Sequence, residues 1–224
     1  MIVLSVSDKV ESLLYDVKTC QRFADIDLVL GCGDLPYYYL EFLVDSLNVP
    51  VMFVRGNHAA AVEYSENGDR TKPHGAINLH RRVIRHQGLI IAGFEGSVRY
   101  RVGSHQYTQA QMWWMVLAMM PVLLWNRLVH HRWLDILISH SPSWGINDKP
   151  DRAHQGFKAL RWLLMVCKPA YHFHGHVHVN SSTKKVETRH AQTIVVNTYG
   201  YRKNMIDVEM IISRGKKEGN NGNG

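Results

Sequence analysis

The sequence predicts an α/β domain in which two mixed β-sheets pack together and are flanked by helices. Apolar residues make up 46% of the 224 residues, which is enough for a sizeable core in one domain. Short apolar runs alternate with helical patterns in the first quarter of the chain, as in a parallel sheet covered by helices. The last predicted strands follow one another without helices between them, which indicates antiparallel pairing.

The first part of the chain predicts three parallel strands and two helices. The strands are short runs rich in β-branched residues, and each helix carries apolar residues at helical spacing. We expect strands at residues 1–6, 27–30 and 51–54, and helices at 11–23 and 39–47. A loop rich in Gly, Asn, Asp and Pro follows over residues 59–78.

The rest of the chain predicts a hairpin, two helices and five further strands. Gln87-Gly88 joins the two hairpin strands, 82–86 and 89–92. We expect helices at 107–127 and 153–167, and strands at 134–139, 170–174, 183–189, 192–198 and 205–212. With neither an internal repeat nor a linker, residues 1–213 form one predicted domain, and the low-complexity tail 214–224 is expected to be disordered.

Cysteine usage and charge narrow the class of protein. The three cysteines are far apart and odd in number, which excludes a disulfide framework and a CxxC metal site. A reducing cytosol fits this usage, and the first ten residues lack the basic start of a signal peptide, so we expect a cytoplasmic protein. The net charge of +7 favours anionic partners such as phosphate esters, nucleotides or nucleic acid.

Five short polar clusters stand where predicted strands end. In α/β sheets, sites form outside the carboxyl ends of strands, so these clusters can converge in space. Their carboxylates, amide and imidazoles, without thiolate, suit Mn²⁺, Fe or Zn²⁺. The clusters are Ser7-Asp8-Lys9, Gly33-Asp34, Gly56-Asn57-His58, Ser139-His140-Ser141-Pro142 and Gly175-His176-Val177-His178.

The order and spacing of these clusters resemble the calcineurin-like metallophosphoesterases, whose pattern is DxH, GD, GNH(D/E), a later His and GHxH. The resemblance runs from Asp8 to His178 and is closest to small prokaryotic members. It implies a four-layer αββα sandwich that hydrolyses a phosphoester through a metal-activated water. Further shared stretches are Gly33-Asp34-Leu35-Pro36, Arg55-Gly56-Asn57-His58, Gln106-Tyr107-Thr108 and Asn197-Thr198-Tyr199-Gly200-Tyr201.

The resemblance also implies a role for each motif residue. Two divalent metal ions are expected, Mn first and Fe or Zn as alternatives. Asp34 would bridge them, and His58 would lie beside the scissile phosphate to stabilise its charge or protonate the leaving oxygen. One metal would be completed by Asn57, His140 and His176, and the other by Asp8 and His178.

Two positions depart from the family pattern. Val10 stands where the first motif has its His, which predicts weaker metal binding at the site of Asp8. Ala59 follows His58 where the family often has a carboxylate, so His58 lacks that orienting partner. Such losses leave open a degenerate, non-catalytic member that binds or serves as a scaffold.

Three further basic residues, which are not expected to bind metal, are candidates for substrate binding. Arg55, His105 and His154 are expected to bind substrate, although the two histidines equally fit exposed surface positions. His172 and His174 either share a face with the histidines after them or, if the chain bends at Gly175, have a structural role.

Residues 112–125 (MWWMVLAMMPVLLW) form an unusually apolar segment. Fourteen residues are too few to span a bilayer, which takes about 20, so a buried core helix is expected. A dimer contact, a lid over an apolar substrate and an interfacial membrane patch remain open.

The leading functional hypothesis is a metal-dependent phosphoesterase that cleaves a phosphodiester or pyrophosphate bond in a nucleotide-like substrate. A scaffold protein is the alternative. A nucleic-acid binder ranks last, since its basic residues would be clustered and here they are scattered.

Overall fold

The computed structural model describes residues 1–65, 68–179 and 186–220. In chain order its elements are β1 (Ile2–Ser7), α1 (Thr19–Arg22), β2 (Leu28–Cys32), α2 (Tyr37–Leu47), β3 (Val51–Val54), β4 (Ile77–Asn78), β5 (Val83–His86), β6 (Leu89–Phe94), β7 (Ser97–Val98), β8 (Gln106–Tyr107), α3 (Gln109–His130), β9 (Ile136–Ser139), α4 (Lys158–Cys167), β10 (Tyr171–His174), β11 (Glu187–His190), β12 (Thr193–Asn197), β13 (Gly200–Met205) and α5 (Val208–Asn220).

Two mixed sheets form the body of the protein. The first has the order β13-β1-β2-β3-β4, and the second has the order β11-β12-β10-β9-β6-β5. In the first sheet β1 to β4 are parallel, and β13 runs antiparallel to β1. In the second, β6, β9, β10 and β12 are parallel, and each outer strand is antiparallel.

Three apolar clusters separate four layers. Alternation along the strands produces them, because successive side chains point to opposite faces of a sheet. Met52 and Val54 of β3 face the second sheet, whereas Val51 and Phe53 face α2. A third cluster joins the second sheet to α3 and α4. The predicted αββα sandwich, two mixed sheets between helices, is therefore confirmed.

Two predicted elements are wrong because local polar contacts were overlooked. The helix expected at 11–23 is reduced to Thr19–Arg22, since Asp16 and Thr19 bond to nearby backbone groups just before it. The strand expected at 205–212 is replaced by the start of α5. There the Asp207 side chain accepts from the Met210 N–H and caps the helix, and β13 lies earlier, at Gly200–Met205.

The predicted end of the domain at residue 213 falls inside α5, which continues to Asn220. The remainder of the predicted tail, residues 221–224, lies outside the described residues. Residues 183–185 of the strand expected at 183–189 also lie outside the described residues, and β11 contains residues 187–189 of the remainder.

Helix α3 is longer and less buried than the segment 112–125 predicted. With 22 residues, α3 is long and apolar enough to cross a membrane, judged by length and composition alone. One face packs in the core through Met112, Val116, Met119 and Leu123, while Trp114 and Trp125 are exposed. The expected buried core helix is thus only half correct.

Candidate metal centre

The five polar clusters predicted from strand ends meet at one edge of the sandwich. Asp8, Asp34 and Asn57 follow β1, β2 and β3 of the first sheet, and His140 and His176 follow β9 and β10 of the second. Backbone hydrogen bonds tie neighbouring tips together: Asp8 N–H donates to Gly33 O, and Gly175 N–H donates to His140 O. The convergence is therefore built into the parallel strand order of both sheets.

Asp34, His140 and His176 form the centre of the site. Each offers one ligand atom, and these atoms all lie within 4.8 Å of one another. Asn57 joins them, since its Oδ1 lies 3.0 Å from His140 Nε2. The Asn57 amide is oriented by its other end, where Nδ2 donates to the Tyr100 hydroxyl at 3.3 Å.

The acceptor atoms around His140 Nε2 favour a bound cation. Its Nδ1–H donates to Cys32 O at 2.9 Å, and because that carbonyl can only accept, the lone pair of the neutral ring is on Nε2. Nε2 then faces two more acceptors, Asn57 Oδ1 and, at 3.2 Å, Asp34 Oδ2. Three lone-pair donors converge there, which is the arrangement that a divalent metal ion or a proton satisfies.

The charges around His140 lead to the same conclusion. Burial alone would lower the pKa of this fully buried ring, but the Asp34 carboxylate outweighs burial and raises it to about 9. Burial would likewise raise the pKa of Asp34, and the His140 charge instead holds it below its usual range. The pocket thus keeps Asp34 ionised and stabilises positive charge at Nε2.

His176 presents a neutral imidazole to the same centre. Its Nε2–H donates to Ala153 O at 2.6 Å, so Nδ1 carries the lone pair. Burial lowers the pKa of His176 to about 3, which keeps the ring unprotonated at neutral pH. A fixed tautomer and an unprotonated ring are what a metal-ligating histidine requires.

Asp8 and His178 form a second, more open group next to the first. The Asp8 carboxylate accepts from the His176 backbone N–H at 2.9 and 3.1 Å. Burial raises the pKa of Asp8, so the pocket does not fully compensate its charge. His178 Nε2 lies 3.8 Å from Asp8 Oδ1, and its side chain is 53% exposed. The oxygen and nitrogen donors of both groups fit hard or borderline divalent cations.

Three candidate ligands have left-handed backbone. The φ angles of Asp8, Asp34 and His176 are 64°, 52° and 67°. This region is uncommon for residues other than glycine and clusters at functional sites. Gly175 accommodates the resulting crowding, because a Cβ there would lie 2.5 Å from Asp8 Oδ2.

Val10 is partly buried and lies near the second group in the sequence. It packs against the cluster between the first sheet and its helices, which includes Leu14 and Leu4. The position where the family pattern has an imidazole therefore contributes an apolar side chain and no metal ligand.

His58 lies beside Asp34 with an exposed ring. Its backbone N–H donates to Asp34 Oδ1 at 2.8 Å, which fixes the start of the loop after β3. Ala59, the position of the missing carboxylate, is only half-buried and lines a small void next to Asp34. The catalytic role expected of His58 stays a prediction.

Arg55 and His105 lie in a second polar cluster that adjoins the metal centre. The cluster is built on the buried Glu95, which accepts from the Tyr107 hydroxyl at 2.7 Å and lies 3.9 Å from His105 Nε2. Burial lowers the pKa of His105; Glu95 opposes this, and the charges of Arg55 and Asp34 act on the ring as well. Arg55 Nε and His105 Nδ1 are buried without a hydrogen-bond partner in the described chain.

The other candidate histidines divide into two kinds. His154 lies next to His176, with ring centroids 5.3 Å apart, and its Nδ1 bonds to Asp151 at 2.8 Å. His172 and His174 are fully buried behind the bend at Gly175, and His172 Nε2 bonds to Ser139 Oγ at 2.8 Å. The bent-chain alternative is correct for these two, which are structural.

Sequence reasoning missed Glu95 and Tyr100. Glu95 directly follows β6, so the strand-end rule that found the other clusters would have found it too. Tyr100 comes from the loop between β7 and β8, and no pattern in the sequence links it to Asn57.

An αββα sandwich with carboxylate, amide and imidazole donors at its strand tips defines a metal-binding phosphoesterase-type protein. The sequence matches the calcineurin-like phosphoesterase family over residues 7–180, and the chain belongs to that family. Membership supports a metal-dependent phosphoesterase in general. No curated protein sequence matches the chain.

Solved structures show the same fold at low identity. One crystal structure has a TM-score of 0.62 and 16% identity, over 90% of this chain and 93% of that chain. The protein TT1561 of Thermus thermophilus has a TM-score of 0.58 and 13% identity, over 89% of each chain. GAP50, the anchor in the inner membrane complex of Plasmodium, has a TM-score of 0.51 and 10% identity, over 89% of this chain and 71% of that chain.

Proposed function

We propose that the protein hydrolyses a phosphodiester or pyrophosphate bond, with a nucleotide-like molecule as substrate. The observation that carries this proposal is the convergence of Asp34, Asn57, His140 and His176, with each imidazole held in one tautomer by a main-chain carbonyl. Family membership supports the general reaction class, and the bond type is our inference from the surrounding charge.

The donor set fits two divalent cations, with Mn²⁺ as first choice and Fe or Zn²⁺ as alternatives. Asp34, Asn57, His140 and His176 would hold one, and Asp8, His178 and the shared Asp34 would hold the other, more weakly because Val10 supplies no imidazole. When bound, such ions supply the charge that activates water and neutralises phosphoryl oxygens.

His58 is the residue best placed to handle the leaving-group proton. Its backbone N–H is anchored to Asp34 and the residue is exposed, so a protonated ring would be free to donate to the departing oxygen. General acid catalysis of this kind contributes about 10²- to 10⁴-fold.

Arg55, His105 and His154 are proposed to bind the rest of the substrate. Buried donor atoms without partners at Arg55 and His105 suit an anionic group next to the scissile phosphate, such as the second phosphate of a pyrophosphate. His154 would contact the substrate from the side of His176. A second anionic group distinguishes a pyrophosphate from a simple monoester.

Hydrolysis of bis(p-nitrophenyl) phosphate, p-nitrophenyl phosphate and a dinucleoside pyrophosphate tests the proposal. The protein is stripped with EDTA and reloaded with Mn²⁺, Fe²⁺ or Zn²⁺, and metal content is measured by elemental analysis. We expect the diester or the pyrophosphate to be cleaved faster than the monoester, and only with metal. A preference for the monoester would refute the proposed bond type.

The scaffold alternative is favoured by two specific residues, Val10 and Ala59, which replace a ligand and an orienting carboxylate. It predicts metal binding and intact folding without turnover of any of the three substrates. A nucleic-acid binder would show affinity for DNA or RNA that falls steeply with salt, again without turnover.

A further inference from the structure

The outer face of α3 is an apolar surface that the catalytic proposal does not use. Exposed apolar side chains recur at helical spacing over four turns, and the two tryptophans are 75% and 64% exposed. Together they form what we call the α3 face, whose members are Trp114, Leu117, Val122, Trp125, Leu128 and Val129. Contiguous apolar surface of this kind marks interaction sites.

The inner face of α3 keeps the helix attached to the domain. Met112, Val116, Met119 and Leu123 are buried against the second sheet and α4. The helix is long and apolar enough to cross a bilayer. If it did so, these buried residues would face lipid and the second sheet would lose the helix that covers it. The α3 face is therefore available only to a partner that the helix meets lying flat.

The chain segments around the α3 face are rich in basic residues. No Asp or Glu occurs between Glu95 and Asp135, whereas Arg99 and Arg101 precede the helix and Arg127 and Arg132 lie at its other end. The neighbouring α4 is likewise free of acidic residues and carries Lys158 and Arg161, followed by the exposed Lys168.

A basic cavity of about 180 Å³ opens at the C-terminal end of α3. Its lining includes Arg127, Lys168 and Arg214. Among the described lining residues one carries a carboxylate, Asp135, and it is paired with Arg132 at 2.6 Å. A cavity of this size and charge accommodates a phosphate group next to the apolar face.

This charge pattern selects among the possible occupants. Two copies of the chain packed face to face would bring arginines together at both ends of α3, in either relative orientation, and like charges oppose such a contact. A phospholipid bilayer, with acyl chains beneath a layer of phosphates, matches both the apolar face and the basic residues around it. Tryptophan favours the membrane interface, and basic residues attract anionic headgroups.

We propose that the α3 face docks the protein onto anionic phospholipid bilayers. The helix lies in the plane of the interface, Trp114 and Trp125 enter the boundary between headgroups and acyl chains, and the basic rim contacts lipid phosphates. The protein is thereby a peripheral membrane protein.

Co-sedimentation of the purified full-length protein with vesicles tests this proposal. Vesicles of phosphatidylcholine alone are compared with vesicles that also contain phosphatidylglycerol. We expect binding to the anionic vesicles only, weakened by salt, and at least about tenfold weaker for the double variant Trp114→Ser/Trp125→Ser. Lys168→Glu should also weaken binding.

Matched controls replace exposed residues far from the α3 face. Tyr64→Ser removes an aromatic side chain that is 82% exposed, and Lys72→Glu makes the same charge change as Lys168→Glu; both should bind vesicles like the unchanged protein. Circular dichroism melts confirm that each variant folds. Because none of these residues touches the metal centre, the result does not depend on whether hydrolysis is observed.

Three outcomes would overturn the proposal. The first is that the unchanged protein binds neither kind of vesicle. The second is that the double tryptophan variant binds anionic vesicles as well as the unchanged protein does. The third is a dimer in analytical ultracentrifugation that the same variant dissociates, without any vesicle binding, which would assign the α3 face to a second copy.

Discussion

Adding one methyl group at Gly175 tests whether Asp8 has a role in the site. A Cβ at this position would lie 2.5 Å from Asp8 Oδ2 and 2.6 Å from Ser7 Oγ, whereas ordinary contacts begin at 3.4 Å. Gly175 is not among the glycines with positive φ, so alanine suits its backbone and the strain falls on its neighbours. The Asp8 carboxylate must therefore move by about 0.9 Å, the difference between the two distances.

A displacement of this size should cost about 100-fold in kcat/KM, as misplacements near 1 Å do in other active sites. The assay is hydrolysis of bis(p-nitrophenyl) phosphate over a Mn²⁺ titration, for the unchanged protein, Gly175→Ala, Asp8→Ala and the double variant. If Gly175→Ala acts through Asp8, it adds little to the loss already caused by Asp8→Ala.

A role for Asp8 is refuted if Gly175→Ala is as active as the unchanged protein, or if it lowers the rate equally in the Asp8→Ala background. Urea unfolding of each variant separates these outcomes from loss of the fold. Elemental analysis adds a second readout, because displacing Asp8 should reduce metal content while the group around Asp34 stays loaded.

Further predictions concern the other site residues and the response to metal and acid. Asp34→Asn should abolish turnover and release the metal, as elemental analysis and the hydrolysis rate will show. His58→Ala should lower kcat by about 10²- to 10⁴-fold with metal content unchanged, and metal loss would instead make His58 a ligand. Mn²⁺ at about 100 times its Kd should stabilise the fold by about 2.7 kcal/mol and raise Tm by about 5 to 10 °C, an increase that Asp34→Asn abolishes. Burial holds the pKa of His172 in the folded state well below 6.5, the ordinary value, which the unfolded state keeps. At a pH between these two pKa values, only the unfolded state gains a proton. Acid therefore lowers the free energy of unfolding of the metal-free protein through this group, by at most about 1 kcal/mol per pH unit, and His172→Gln should flatten the decline in urea titrations from pH 6.5 to pH 5.

The strands and the ligand motifs could be predicted from the sequence because both depend on local patterns. Alternation places Met52 and Val54 on one face of β3 and Val51 and Phe53 on the other, and parallel order brings the strand ends to one edge. The residues that a strand-end rule selects are thus the residues that meet.

The wrong predictions at 11–23 and 205–212 arise where side chains form hydrogen bonds with nearby backbone N–H groups. Asp16 and Thr19 bond to nearby N–H groups and leave α1 only four residues, while Asp207 caps a helix where an apolar run suggested a strand. Apolar periodicity carries no information on these bonds. For α3 the pattern failed differently, because a helix with apolar residues all round does not show which face the sheet will cover.

The exact form of the site also lies beyond sequence reasoning. Asp8, Asp34 and His176 adopt left-handed backbone that no local motif announces, and the partners that fix the imidazoles are main-chain carbonyls of Cys32 and Ala153. Carbonyls carry no signature in the sequence, since every residue has one.

Backbone strain at the candidate ligands and the buried charge of Asp8 bear on whether the pocket still binds a cation. Left-handed backbone at three residues other than glycine costs about 1 to 3 kcal/mol each, and burying the Asp8 carboxylate without full compensation adds to that cost. The fold retains these features only if another interaction offsets their cost. A bound cation offsets them, since it supplies the charge that Asp8, Asp34 and the lone pair of His140 face together. The absence of an imidazole at position 10 leaves the donors around Asp34 intact, because Val10 packs against the core and does not belong to that group.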